Sequence, residues 1–242
     1  MAAQINTNLY SLNAQRNLSK NSMGLQSAIE RLSSGLRVNS AKDDAAGLAV
    51  ALGQDSAARG ISASIRNSSD QISQAQIADG ALQVVGDILL RMSELESQAA
   101  STTLNSTQKG YIQTEFAQLS SSITNIQGNA KLNGATAFAQ GISSVTTVST
   151  TAGASAAAIT SALDSVAANR ATAGAVMNNL QFQIQSFEVN YENTMAAKSR
   201  VMDADFAAET ANLSRFQILQ QAGTAMVAQA NSIPQNVLSL LR

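Results

Sequence analysis

Residues 159–201 read ITSALDSVAANRATAGAVMNNLQFQIQSFEVNYENTMAAKSRV. Strides of four and three through this stretch land on Ile159, Leu163, Val166, Arg170, Ala173, Met177, Leu180, Ile184, Phe187, Tyr191, Thr194, Lys198 and Val201. That alternation is the stride of a helix that presents one stripe to a partner helix. The stripe is mostly apolar over its whole length, so the sequence predicts one long helix here.

The same stride recurs on both sides. Upstream it runs through Ala78, Leu82, Val85, Leu89, Met92, Glu96 and Ala99, interrupted only by Glu96. Leu48, Leu52, Ile61, Ile65 and Ile72 extend that helix back to about Ala41. A helix from Ala41 to Ala100 would be roughly 90 Å long at 1.5 Å per residue. Another stripe reads Ile112, Phe116, Leu119, Ile123, Ile126 and Ala130. Near the N-terminus it reads Leu25, Ile29, Leu32 and Leu36, after a phase slip from Ile5, Leu9 and Leu12. Near the C-terminus it reads Phe216, Leu219, Gly223, Met226, Ala230, Ile233, Val237 and Leu240. Ordinary globular helices average three or four turns. The pattern therefore predicts an all-α fold, an elongated antiparallel helical bundle or coiled coil.

Turn chemistry separates the segments. Ser40-Ala41-Lys42-Asp43 resembles a capping box, with Asp43 and Asp44 suited to a helix N-terminus. Ser101 to Gly110 is rich in Ser, Thr and Asn and reads as a loop. Asn133-Gly134 is a turn signal. Val145-Thr146-Thr147-Val148 is the best strand candidate, one arm of a short β-hairpin at the outer end of the bundle. Asp203 or Asp205 caps the last helix. Pro234 is expected to kink that helix or to end it near Ser232 or Ile233.

Composition excludes most chemistry. The chain has 242 residues with no Cys, His or Trp. No ordinary zinc site, no Ser-His-Asp or Cys-His pair and no disulfide can be built, and no cofactor is expected. With 15 basic and 16 acidic residues, the near-zero net charge argues against electrostatic binding of nucleic acid. No apolar run approaches the ~20 residues of a spanning helix, and Met1 to Asn8 lacks a basic-then-apolar signal-peptide pattern. Residues 1–42 carry Arg16, Lys20, Arg31, Arg37 and Lys42 against Glu30, and residues 203–242 carry Asp203, Asp205 and Glu209 against Arg215 and Arg242. The two end helices therefore have weakly opposite charge and can pair. Alone, each is a single amphipathic helix, marginal in water.

Two stretches carry a family resemblance. Ala28-Ile29-Glu30-Arg31-Leu32-Ser33-Ser34-Gly35-Leu36-Arg37-Val38-Asn39-Ser40-Ala41-Lys42-Asp43-Asp44-Ala45-Ala46-Gly47 resembles the N-terminal signature of bacterial flagellin. Ser214-Arg215-Phe216-Gln217-Ile218-Leu219-Gln220-Gln221-Ala222-Gly223, with Ala228-Gln229-Ala230-Asn231 and Pro234-Gln235-Asn236-Val237-Leu238-Ser239-Leu240-Leu241-Arg242, resembles the C-terminal one. The likeness spans about residues 1–140 and 159–242. In place of the family's long variable region stand only the residues from Gly141 to Ala158, so the chain resembles a short flagellin without outer domains. The Leu132-Asn133-Gly134 turn has Leu where the family usually has Phe.

The resemblance implies a non-enzymatic, extracellular subunit of the bacterial flagellum, exported without a cleaved signal peptide and polymerised for swimming motility. It implies a terminal filament-core domain made of residues 1–43 and 203–242, and a helical rod of residues 44–202 with a β/turn region at about 131–158. The terminal helices would pair as a filament-core coiled coil through Leu25, Ile29, Leu32, Leu36, Phe216, Leu219, Gly223, Met226, Ala230, Ile233, Val237 and Leu240. Implied partners are other copies of the chain, the flagellar export chaperone and apparatus, and the hook-associated junction and cap proteins. The resemblance further places a face for the innate receptor Toll-like receptor 5 at Arg91, Leu95 and Glu115. A hook–filament junction protein is the rival reading; the close C-terminal match favours the filament subunit.

Overall fold

The computed structural model describes residues 7–145 and 156–240, with side chains described as far as Ser232. Five α-helices carry the described residues: α1 (Leu9–Ser34), α2 (Ala45–Ala99), α3 (Ser106–Asn129), α4 (Ala156–Met202) and α5 (Phe206–Leu240). Strands β1 (Lys131–Leu132) and β2 (Ala135–Thr136) form one antiparallel hairpin. The chain divides into two compact units, Met1–Ala58 with Glu192–Arg242, and Arg59–Tyr191.

The Arg59–Tyr191 unit is built on the stripe read from α2. Ala75, Ala78, Leu82, Val85, Leu89, Met92 and Ala99 are all buried, and Phe116 and Ile123 of α3 and Ile159, Val166 and Ala173 of α4 complete the core. Arg170 interrupts the α4 stripe without being buried as a bare charge: its Nε meets Asp79 Oδ1 at 2.8 Å, with the side chain 43% exposed. The Asp79 carboxylate raises the Arg170 pKa further above its ordinary value. Along this unit α4 runs antiparallel to α2, because Arg170 lies by Asp79 while Val166 lies by Gly86.

Helix α3 begins earlier than the composition of 101–110 suggests. Asn105 accepts from Gln108 N at 2.8 Å while its own N–H donates to Gln108 Oε1 at 3.0 Å, a complete capping box. The hairpin lies at Asn133-Gly134, where φ is +50° and +83°. Positive φ at both central residues is the geometry that Asn-Gly favours in a two-residue hairpin turn. Gln74 Nε2 ties it to α2 by donating to Thr136 O at 2.6 Å. Of the expected strand, Val145 is buried without being in a strand, and residues 146–148 lie outside the described residues.

The start of α2 corrects the expected capping box. Asp43 accepts from Ser40 Oγ at 2.9 Å, Ser40 N at 3.0 Å and Asn39 N at 3.3 Å, closing a separate turn. With Asp43 so engaged, Asp44 becomes the cap, accepting from Gly47 N at 2.8 Å, and α2 starts at Ala45 rather than Ala41. Asp205, not Asp203, caps α5, accepting from the N–H groups of Ala207 and Ala208 at 2.9 and 3.2 Å. Helix α5 also runs on past Pro234 to Leu240 instead of ending there.

The turn at Asp43 has a pH signature. The Ser40 hydroxyl first, then the N–H groups of Ser40 and Asn39 and the charge of Arg31, hold the Asp43 carboxyl below its ordinary value of 3.8. A depressed folded value means a contribution fully present above pH 3.8 and lost as the pH falls through the lower folded value. Asp43→Asn should remove that acid sensitivity. The check is a carboxyl titration by NMR, with amide protection of Ser40 followed in parallel; an unshifted Asp43 titration would sink it.

Candidate assembly interface

Helices α1 and α5 pack against each other within one unit. Their contacts descend in register: Asn8 meets Ala230, Leu18 meets Gly223, Gly24 meets Phe216 and Leu36 bridges Asp203. As one number rises the other falls, so the pair is antiparallel.

The seam between them follows the three-four stride. On α1 it passes through Ser11, Ala14, Leu18, Asn21, Leu25, Ala28 and Leu32, and on α5 through Glu209, Leu213, Phe216, Gln220, Gly223, Val227 and Ala230, all buried or half-buried. Two glycines let the helices approach closely. A Cβ on Gly24 would sit 2.6 Å from Phe216 Cζ, and one on Gly223 would sit 3.1 Å from Leu18 Cδ1. Each helix thus offers a glycine hole to a large side chain of the other.

Of the residues expected in the core, Leu25, Leu32, Leu36, Phe216 and Gly223 are half-buried and Ala230 is buried. Ile29, Leu219 and Met226 are 51%, 40% and 62% exposed, and point away from the seam. Ala28, Gln220 and Val227 take the seam positions beside them. The side chains of Ile233, Val237 and Leu240 lie outside what is described. Periodicity missed this because each helix carries two apolar stripes, and spacing alone does not say which one turns inward. The outer surface of the pair consequently displays Leu9, Tyr10, Leu12, Met23, Ile29, Ile218 and Met226.

The two linkers meet at the base of the pair. Gly35 ends α1 with φ +72°, its N–H donating to Arg31 O at 2.8 Å. This is the left-handed C-cap that glycine adopts without steric cost. Beyond it, Arg37 N donates to Met202 O at 2.6 Å and Ala204 N donates to Gly35 O at 2.9 Å. The Arg37 guanidinium donates to Val201 O at 2.6 Å, placing a cation on the carbonyl end of α4, where the helix dipole favours it. Both end helices therefore leave from one crossing point. Lys198, within 2.5 Å of Asp55, braces α4 against α2 next to it.

Arg91 and Glu115 are brought together, with Arg91 Nη2 3.0 Å from Glu115 Oε1 and both side chains 45% exposed. Glu94 also accepts from Arg91 Nη1 at 2.9 Å. Leu95 does not share their surface. It is 1% exposed and belongs to the core, because α2 is covered there on more than one face. Among the described residues no group of three or more acidic side chains could hold a metal ion, and no helix is long and apolar enough to cross a membrane.

Comparison with known proteins covers nearly the whole chain. Residues 5–144 match the family model of the bacterial flagellin N-terminal helical region, and residues 156–241 that of the C-terminal helical region. A flagellin of Halalkalibacterium halodurans is 36% identical over 98% of this chain and 99% of its own length. The flagellin of Bacillus subtilis is 35% identical over 99% of this chain and 100% of its own. The flagellar filament 33 kDa core protein of Treponema phagedenis is 34% identical over 98% of this chain and 99% of its own.

Proposed function

The chain belongs to the bacterial flagellin family and is a structural, non-enzymatic subunit of the flagellar filament, and from that premise we propose that the α1/α5 pair is its polymerisation element. One observation carries the proposal: the pair leaves large apolar side chains exposed along its outer surface, Leu12, Met23, Ile29, Ile218 and Met226 among them, in addition to the apolar residues of its inner seam. Ordering one residue costs roughly 1–2 kcal/mol of backbone entropy, and burial returns about 25 cal/mol per Å² of apolar surface. The leucines and Phe216 of the seam bury apolar surface, but Ser11, Asn21, Gln220 and Gly223 between them add little. The remainder comes from neighbouring copies, which cover Met23, Ile29, Ile218 and Met226. A head-to-tail contact of this kind that does not close on itself grows an open helical polymer.

The functional division of the chain then falls at the two linkers, with residues 1–43 and 203–242 forming the filament core and residues 44–202 the helical rod. Purified protein seeded with short filament fragments should grow long, smooth filaments in the electron microscope. No elongation under conditions where another flagellin grows would remove this reading in favour of a junction protein.

The finer partners, the export chaperone and apparatus and the junction and cap proteins, are proposed on family resemblance alone. Contact with Toll-like receptor 5 is proposed through Arg91 and Glu115 without Leu95; a silent cell reporter exposed to depolymerised protein would remove it.

A further inference from the structure

Pro234 sits inside α5, yet a proline has no N–H to donate to the carbonyl four residues back. That carbonyl belongs to Ala230, a residue only 7% exposed, so water is a poor substitute partner. The partner in the structure comes from the other end of the chain. Asn8 Nδ2 donates to Ala230 O at 2.8 Å. The same amide turns its oxygen the other way: Asn8 Oδ1 accepts from Ser11 N at 3.1 Å and caps α1. Only the oxygen can accept from an N–H and only the NH₂ can donate to a carbonyl, so the two contacts together fix the orientation of the amide.

We infer that Asn8 is a register-determining residue of the α1/α5 pair, and that Pro234 makes it so. Apart from the carbonyls of the last turn, the proline leaves an unfilled acceptor inside the helix, and that acceptor marks a single position along α5. The N-cap of α1 carries the donor. Sliding the helices by one heptad would preserve the three-four stride but would leave the Ala230 carbonyl without Asn8. The glycine holes at Gly24 and Gly223 favour the same register by packing, and a polar contact that exists in only that register adds to the discrimination. The two ends of the polypeptide are thereby clamped in the one alignment that also brings Leu36 to Asp203.

The test reads register directly and does not depend on the polymerisation proposal. The chain has no cysteine, and a Cβ on Gly223 would lie 3.8 Å from that of Leu18, the usual separation across a disulfide. Full-length protein carrying Leu18→Cys and Gly223→Cys reports the native register on mild oxidation. Leu25→Cys with Gly223→Cys reports a slip of one heptad. Asn8→Asp keeps the cap and replaces the donor by an acceptor, and should shift the ratio of native to slipped cross-link about tenfold towards slip. Asn8→Ser keeps a capping oxygen without the reach, and should shift it in the same direction by less. In a Pro234→Ala background the helix fills its own carbonyl, and the same Asn8 substitutions should change the ratio less than about twofold. Equal effects in both backgrounds, or none with proline present, would overturn the inference. If an Asn8 variant forms no cross-link at all, recovery of cross-linking on adding Pro234→Ala supports the clamp, and failure to recover overturns it.

Discussion

Seeded growth of the Gly24→Val protein should stop, or require a monomer concentration roughly 5- to 150-fold higher than the parent, the factor equivalent to the 1–3 kcal/mol cost of overpacking. The space does not exist: even the first added carbon would lie 2.6 and 2.7 Å from Cζ and Cε1 of Phe216. Phe216 has two side-chain torsions with which to retreat and is itself wedged in the seam. The competing effect has the opposite sign. Valine is a better helix former than glycine by a few tenths of a kcal/mol. If intrinsic propensity governed this site, the variant would assemble slightly better than the parent. The steric term is several times larger and decides the outcome. Adding Phe216→Ala should recover part of the lost growth by vacating the hole, although Phe216→Ala alone should impair it. Unimpaired growth of Gly24→Val would mean that the helices do not approach this closely in the filament.

A second large effect is expected from the outside of the same pair. Ile218 and Met226, two strides of four apart on α5, are 66% and 62% exposed. Converting both to Asp should leave the dissociated monomer unchanged by circular dichroism and by melting of the rod. Fully burying a side chain of this size contributes about 1.5–3 kcal/mol. Losing two such contributions to neighbouring copies raises the critical concentration by about 10²- to 10⁴-fold, before any cost of burying carboxylates. Normal filaments from this double variant would show that the outer face of α5 stays in solvent. Together the two variants separate pairing within a chain from packing between chains. The first fails because α1 and α5 cannot close, and the second because a closed pair has nothing to cover it.

Much of the architecture was legible from stride alone. The α2 stripe from Ala78 to Met92 and the α3 stripe through Phe116 and Ile123 are buried as the spacing requires. Those stripes are rich in large apolar residues that have one obvious place to go. Helix starts were less legible. Asp43 and Asp44 are equivalent as symbols, and only the turn that Asp43 closes with Ser40 hands the cap to Asp44. Leu95 shows the same limit in the core. One turn from Arg91, it can share a face with it by helical geometry alone, but α2 is covered on several faces at that level and Leu95 is buried.

The α1/α5 pair divides the two kinds of information most clearly. From the sequence by itself came helices at both ends, their ability to pair, the family and the lack of any His or Cys, because these depend on residue type and spacing along one chain. Only the tertiary structure decided which of two apolar stripes faces inward. Glycine at 24 and at 223 permits an approach that larger residues forbid, so the stripe beside them closes and Ile29 and Met226 face outward. Only the tertiary structure, too, joined Asn8 to the carbonyl that Pro234 leaves unfilled, because a hydrogen bond spanning 222 positions of sequence has no local signature.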